Sequence, residues 1–273
     1  MMILRSLAVA VFVLLGWAVA PVAAFEMNTP TAAGFNLTFA EEFDNLDASA
    51  RPGSGARWYT RTPWNGDFGD ARFKGALIND TFSVVDGVLT IRLRKHMPAL
   101  WTTGLLSSMD PQGNGFAQQY GYFEMRALLP LGRGVWPAFW LIGADRLTPD
   151  AEVTAEIDVM EFYGVTPDRF SSVLHVWSRN GRDKNNSELH WKEVEPGQLA
   201  RDFHRFGVLI TEEMTTFYFD GAPYWSSPTR ASHRQPMMIL ANLASGGGWP
   251  VTDEANGAEM KIDYIRVYEH SGR

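Results

Sequence analysis

Short runs in which apolar and polar residues alternate, each closed by Gly, Pro, Asn or Asp, recur along this chain. No long helical periodicity interrupts them after an apolar N-terminal leader. The spacing predicts strands over 82–85, 88–94, 120–128, 135–142, 156–163, 172–177, 204–211, 215–219, 237–243 and 260–268. Asp86-Gly87 and Asp220-Gly221 fall between such runs and read as hairpin turns. Strands this short and this regularly punctuated pack as an antiparallel β-sandwich or jelly roll. The 273 residues show no composition break or low-complexity linker, so one all-β domain is expected.

The leader is a separate unit. Met1 to Arg5 carries one positive charge, Leu7 to Ala20 is apolar, and Pro21-Val22-Ala23-Ala24 offers small residues for cleavage. This reads as a signal peptide over 1–24, with the catalytic domain over 25–273 and a secreted or periplasmic destination. A short membrane anchor is the alternative. Chain lengths, charges and cysteines narrow the partners further. There is no cysteine, so disulfides are excluded as staples. The net charge is -7, and removing a leader with one Arg and no acid makes it -8. Without a basic stripe to neutralise phosphates, nucleic acid is excluded as a partner; no membrane contact is expected after cleavage, and the mature chain is expected to be a monomer. Ten Trp, eight Tyr and seventeen Phe point instead toward sugar stacking.

The chemistry concentrates in Glu156-Ile157-Asp158-Val159-Met160-Glu161, three carboxylates in six positions of a β-branched, apolar stretch. Crowding or burying unpaired carboxylates costs several kcal/mol, which makes the pattern a poor packing solution. Paired carboxylates are what glycosidic bond cleavage requires. On a regular strand Glu156 and Asp158 share a face and Glu161 points to the other, since it lies an odd number of residues away. A β-bulge near Val159-Met160 would turn Glu161 back to its partners. A solvated edge strand is the structural alternative.

Other segments supply candidate walls. Trp136, Ala138 and Trp140 share one face of their strand, with Phe139 and Leu141 on the other, so the two indoles could form a stacking platform. Tyr120, Tyr122, Glu124 and Arg126 likewise share a polar face, which could bond sugar hydroxyls or hold an ion pair. His175 follows the acids by one hairpin and alternates with Trp177. The segment from Arg61 to Asp70, rich in Gly and Asp yet carrying Trp64 and Phe68, reads as an ordered loop. Phosphate loops, His-rich metal motifs and a nucleophilic Cys are missing from the sequence.

Together these segments resemble glycoside hydrolase family 16, the family of laminarinases, lichenases, agarases and carrageenases. The resemblance runs through Phe39-Ala40-Glu41-Glu42-Phe43-Asp44, Tyr120 to Arg126, Trp136 to Trp140, the acid segment, Phe217 to Gly221, Asn242-Leu243-Ala244 and Ile262 to Tyr268. It implies a concanavalin A-like jelly roll with a concave sugar cleft and an endo-β-glycanase acting on a glucan or exopolysaccharide by retaining double displacement. A transglycosylase and a non-catalytic carbohydrate-binding sandwich are the alternatives. By resemblance to the bulged, laminarinase-like form, Glu156 is the nucleophile, Glu161 the general acid/base and Asp158 the residue that tunes charge between them. Trp136, Trp140, Arg126, His175, Asn242 and Trp249 match sugar-subsite positions. The resemblance implies no required cofactor, and a possible structural Ca2+ on the convex side at Glu42, Gly87 and Asp263. The loop from Trp64 to Asp70 resembles that of relatives linked to bacterial exopolysaccharides.

Overall fold

A computed structural model describes residues 34–64, 66–75, 81–97, 100–179 and 185–270; the expected signal peptide lies outside them. Two large sheets form the sandwich. One, eight-stranded among the described residues, runs in the order Ala222–Pro228, Met214–Phe219, His204–Ile210, Gly121–Leu128, Glu259–His270, Val88–Arg92, Phe82–Val85, with Phe35–Glu41 also paired to Glu259–His270. The other, nine-stranded, runs Asn186–Glu193, Arg169–Ser178, Val153–Glu161, Val135–Gly143, Met237–Ser245, Leu105–Ser107, Trp58–Tyr59, Ala48–Ser49, with Ala117–Gln118 paired to Met237–Ser245. Neighbours far apart in sequence, such as Val135–Gly143 beside Met237–Ser245, give the crossed connections of a jelly roll. Both expected hairpin turns form, with Asp86 and Gly87 at φ 51° and 74° and Asp220 and Gly221 at 49° and 81°. Positive φ at both central residues is what a type I′ turn needs to follow the strand twist.

Alternation builds the core. Phe123, Met125 and Ala127 from the first sheet meet Phe139, Leu141, Ile157, Ile239, Ala241 and Leu243 from the second in one buried cluster. Each such large side chain stabilises the fold by about 1.5–3 kcal/mol relative to exposure. The opposite face of the second sheet carries a smaller cluster of Ala138, Trp140, Ile142 and Leu240 with Phe73 and Leu105. The strand Met237–Ser245 is therefore buried at every position. This sheet, covered on both faces near its centre, is the platform on which the acids stand.

The placement of Arg126 overturns one expectation. Its strand, Gly121–Leu128, belongs to the first sheet and the acids to the second. The Arg126 guanidinium donates to Asp263 at 2.5 Å and lies 5.0 Å above the Phe203 ring, so it takes no part in the cleft. Its neighbours on that face are also committed, because the hydroxyls of Tyr122 and Tyr264 both donate to the buried Glu124 carboxylate at 2.7 Å. Alternation identifies which residues share a face; it does not identify the sheet that a strand joins. The proposed calcium positions meet a similar competition. Arg266 donates two bonds to the Glu42 carboxylate, at 2.8 and 2.9 Å, and Arg126 holds Asp263. As carboxylate ligands Glu42 and Asp263 would compete with these guanidinium groups, and Gly87 could offer only its carbonyl.

Candidate active site

The acid strand departs from alternation where parity requires it. Glu161 pairs with Ala138, Met160 with Phe139 and Asp158 with Trp140, leaving Val159 without a partner on the strand Val135–Gly143. On the other side Asp158 pairs with Val173 and Glu161 with Ser171, so two residues face one. This is the expected β-bulge. Its physical drive is visible in the packing: Ile157, Val159, Met160 and Phe162 are all buried in the inter-sheet core. Two successive apolar side chains enter the same core, and the following carboxylate is returned to the face of Glu156 and Asp158.

The three acids line one cavity of about 220 Å³ together with Trp64, Phe68, Trp136, Ala138, Trp140 and Asn242. Asp158 is buried, while Glu156 and Glu161 are partly exposed. His175 stands opposite Glu156 in the ladder, yet its Nε2 lies 3.1 Å from Asp158 Oδ2. Its Nδ1 lies 2.6 Å from Ser187 Oγ, and its ring stacks on Trp177 at 4.5 Å. Trp136 donates its indole N–H to Glu161 at 3.1 Å, and the Tyr163 hydroxyl donates to the same oxygen at 3.4 Å.

Burial and crowding raise every carboxyl in the group. Burial, and then the charge of Asp158, push Glu156 up to about 8, against the opposing pull of His175 and a hydrogen bond from Trp177. Asp158 is raised well above the carboxylate range by burial and the charge of Glu161. Glu161 is raised by burial, with the Trp136 bond opposing. Burial lowers His175, leaving its imidazole neutral near pH 7 despite Glu156 and Glu161. Burial and mutual repulsion thus favour protonation within the group, and a proton taken up by Asp158 relieves the repulsion on Glu156. Behind the strand, His233 Nε2 donates to the Glu156 carbonyl at 3.3 Å, and burial holds its pKa down at about 4.

Two ends of the site differ. Around Glu161 the wall is aromatic: Trp136 stacks on Tyr163 at 6.0 Å, and Tyr163 meets Trp249 at 4.9 Å and Trp191 at 6.4 Å. Gly247, at φ 62°, permits this wall, since a Cβ there would fall 2.8 Å from Tyr163 and 2.9 Å from Trp136. Beyond Glu156 a second cavity of about 450 Å³ is lined by Trp64, Arg146, Trp177 and Arg179 among others.

Among the residues expected from sequence, Trp136, Trp140, Asn242, His175 and the three acids gather at this site, and Trp249 joins through Tyr163. Trp140 is the floor of the cavity and not an open platform. It is only 6% exposed, Trp64 and Phe68 pack edge-on against it, and its indole donates to Asn242 Oδ1 at 2.8 Å. The Asn242 amide nitrogen is buried without a partner among the described residues. Trp64 and Phe68, the aromatics of the loop singled out in the sequence, both line the cavity. Tyr163, Ser187, His233, Arg146 and Arg179 escaped sequence reasoning. Tyr163 alone had a usable signal, lying two residues after Glu161 on the same face.

The family model for glycosyl hydrolases family 16 matches residues 70–266. The chain is 32% identical over 254 residues to the endo-1,3-1,4-beta-glycanase EglC of Rhizobium meliloti and 35% identical over 254 residues to ExsH of the same organism. Both alignments cover 85% of this chain and 51% of the relative, so the chain spans about half the length of these curated relatives. In fold it is similar to the laminarinase catalytic domain of Thermotoga maritima, with a TM-score of 0.68 at 23% identity over 86% of this chain and 98% of that one. With the jelly-roll sandwich and the bulged acid strand in place, the extent of the family match shows that this chain belongs to glycosyl hydrolases family 16.

Proposed function

We propose that this chain is an endo-acting β-glucanase that cleaves β-1,3 or mixed β-1,3-1,4 linkages with retention of anomeric configuration. The observation that carries this reading is the bulge at Val159-Met160, which sets Glu161 on the face of Glu156 and Asp158. The names of the similar Rhizobium glycanases support the substrate class. In the first step a Glu156 oxygen forms a bond to the anomeric carbon as the bond to the leaving oxygen breaks, and the proton of Glu161 passes to that oxygen. The product is a glycosyl ester on Glu156 with Glu161 ionised. In the second step Glu161 takes a proton from water, the water oxygen bonds the anomeric carbon, and Glu156 leaves as a carboxylate.

The electrostatics support these roles. Burial raises Glu161, which favours the protonated form that the leaving group needs. Burial raises Asp158 as well, and the protonated form this favours, 3.1 Å from His175, does not repel Glu156 as it ionises. Trp136 and Tyr163 hold Glu161 in place through both steps. The apolar leader supports export before the enzyme meets its polymer.

Purified protein incubated with a β-1,3-glucan and a mixed-linkage β-glucan tests the reading. Soluble oligosaccharides released by the wild type, and lost by a factor of about 10⁴ or more in Glu156→Gln, are expected. A Glu156→Gln variant as active as the wild type would refute the assignment. Products longer than the donor at high oligosaccharide concentration would mark a transglycosylase instead.

A further inference from the structure

We propose that the cavity beyond Glu156 is a subsite for an anionic group on the glycan, a carboxylate or a sulfate half-ester, bound by Arg146 and Arg179. This rests on the glycanase reading above and specifies its substrate. The cavity, about 450 Å³, shares Trp64 and Glu156 with the smaller cavity over the acids, so a chain lying across the acids runs on into it. Its volume lies in the range of small-ligand sites. Trp64 and Trp177 give it apolar faces for a sugar ring, and two guanidinium groups give it charge.

The two guanidinium groups differ from those of five other arginines. Arg57, Arg92, Arg126, Arg230 and Arg266 each pair with a carboxylate. Among the described residues, neither Arg146 nor Arg179 has a carboxylate within ion-pairing distance. Arg146 lies over the Trp64 ring at 4.9 Å. Arg179 donates through Nη1 to the carbonyls of Asp145 and Thr148 at 3.3 and 2.7 Å, which fixes the side chain and leaves further N–H groups to donate. Two partly buried cations near one another repel, and burial together with Arg179 lowers the pKa of Arg146 against the opposing charges of Glu156 and Asp145. A bound anion would relieve both costs.

The neighbouring acids offset this only from a distance: Glu156 and Asp145 both raise the pKa of Arg146, and neither is in ion-pairing range of it. Asp145 accepts from the Gln235 amide at 2.9 Å, and burial raises its pKa while Gln235, Arg179 and Arg146 oppose. Glu156 faces the same cavity, but it is committed to the anomeric centre, and its charge would direct an anionic substituent to the arginine end. In a chain of net charge -7, two arginines without carboxylate partners beside the cleft place positive charge where a neutral glucan would not use it.

Calorimetry on the Glu161→Gln protein, in which cleavage does not consume the ligand, tests this with matched β-glucan oligosaccharides. One series is neutral; in a second, one glucose at each position in turn is replaced by glucuronic acid; a third carries a sulfate half-ester at those positions. At low salt at least one anionic oligosaccharide is expected to bind about tenfold more tightly than its neutral match, the value of one charge-assisted contact. That advantage is expected to shrink in concentrated sodium chloride and to fall below about threefold when Arg146→Gln is added. Because the readout is a ratio between two ligands on one protein, general damage from the substitution cancels. Tighter binding in only the second series identifies a carboxylate, in only the third a sulfate. Equal affinity for neutral and anionic ligands, or an advantage that survives Arg146→Gln, would overturn the proposal while leaving the glucanase reading intact. Failure of every oligosaccharide to bind would overturn both.

Discussion

Val159 and Met160 are consecutive residues of one strand, and both bury their side chains in the same inter-sheet core. A regular strand cannot do this, because neighbours point to opposite faces. The irregularity decides the chemistry of the site, since it converts the odd spacing of Glu156 and Glu161 into a shared face.

Parity makes the bulge testable by deletion. Removing Met160 leaves the pattern E-x-D-x-E, which places all three acids on one face of a regular strand without any bulge. Removing Val159 and Met160 together turns the last acid into the core. Measurable depolymerising activity is expected to survive the single deletion, and the double deletion to lower it by a factor of about 10⁴ or more. Circular dichroism on both proteins checks that the sheets persist, and an inactive single deletion that folds would contradict the parity argument.

Asp158→Asn is expected to stabilise the protein while impairing it. The folded-state pKa of Glu156, about 8, lies above its ordinary 4.5, so the native state holds this proton more tightly than the unfolded chain. That contribution is complete below about 4.5 and is lost as pH rises through 8. Asp158 is raised in the same direction and pushes Glu156 up further. Thermal unfolding should therefore show a gain of a few degrees for Asp158→Asn that is larger at alkaline than at acid pH. A loss of stability, or a gain independent of pH, would count against this crowding.

Trp177 lowers the pKa of Glu156 through a hydrogen bond. Trp177→Phe keeps an aromatic ring beside His175 and removes the donor. If Glu156 must be ionised to attack, the acid limb of the kcat/KM profile should move to higher pH by roughly 0.5–1 unit. An unmoved limb, or one displaced to lower pH, would separate Trp177 from the nucleophile.

Arg126→Gln tests the corrected geography of the molecule. With its guanidinium on Asp263 and its strand in the other sheet, the residue should not touch the polymer. Substitution is expected to change kcat/KM on a neutral β-glucan by less than about threefold and to cost about 1 kcal/mol or less, as for other partly exposed ion pairs. A tenfold rise in KM would return Arg126 to the cleft.

Much of this was legible because strand periodicity reports faces directly. The hairpins at Asp86-Gly87 and Asp220-Gly221, the two faces of Trp136 to Leu141 and the bulge all follow from side-chain parity and turn conformation. The limits have physical reasons too. The edge strand Asn186–Glu193 alternates between exposed and half-buried positions, without an apolar face to announce it. Arg126 shows that parity carries no information about which sheet a strand joins. Arg146 and Arg179 reach the site from the turn after Gly143 and the end of the strand Arg169–Ser178, so only the fold brings them together. Trp140 looked like a platform because the loop that covers it, through Trp64 and Phe68, is distant in sequence.

The central claim is that Glu156 and Glu161 act across one face as a retaining pair, and the first anomer released tests it most directly. Proton NMR of a β-glucan oligosaccharide digest, followed from the first minutes before mutarotation, should show the β-anomer appearing first and the α-anomer growing in later. An α-anomer formed first would mean inversion, and would contradict the nucleophilic role of Glu156 on which the account stands.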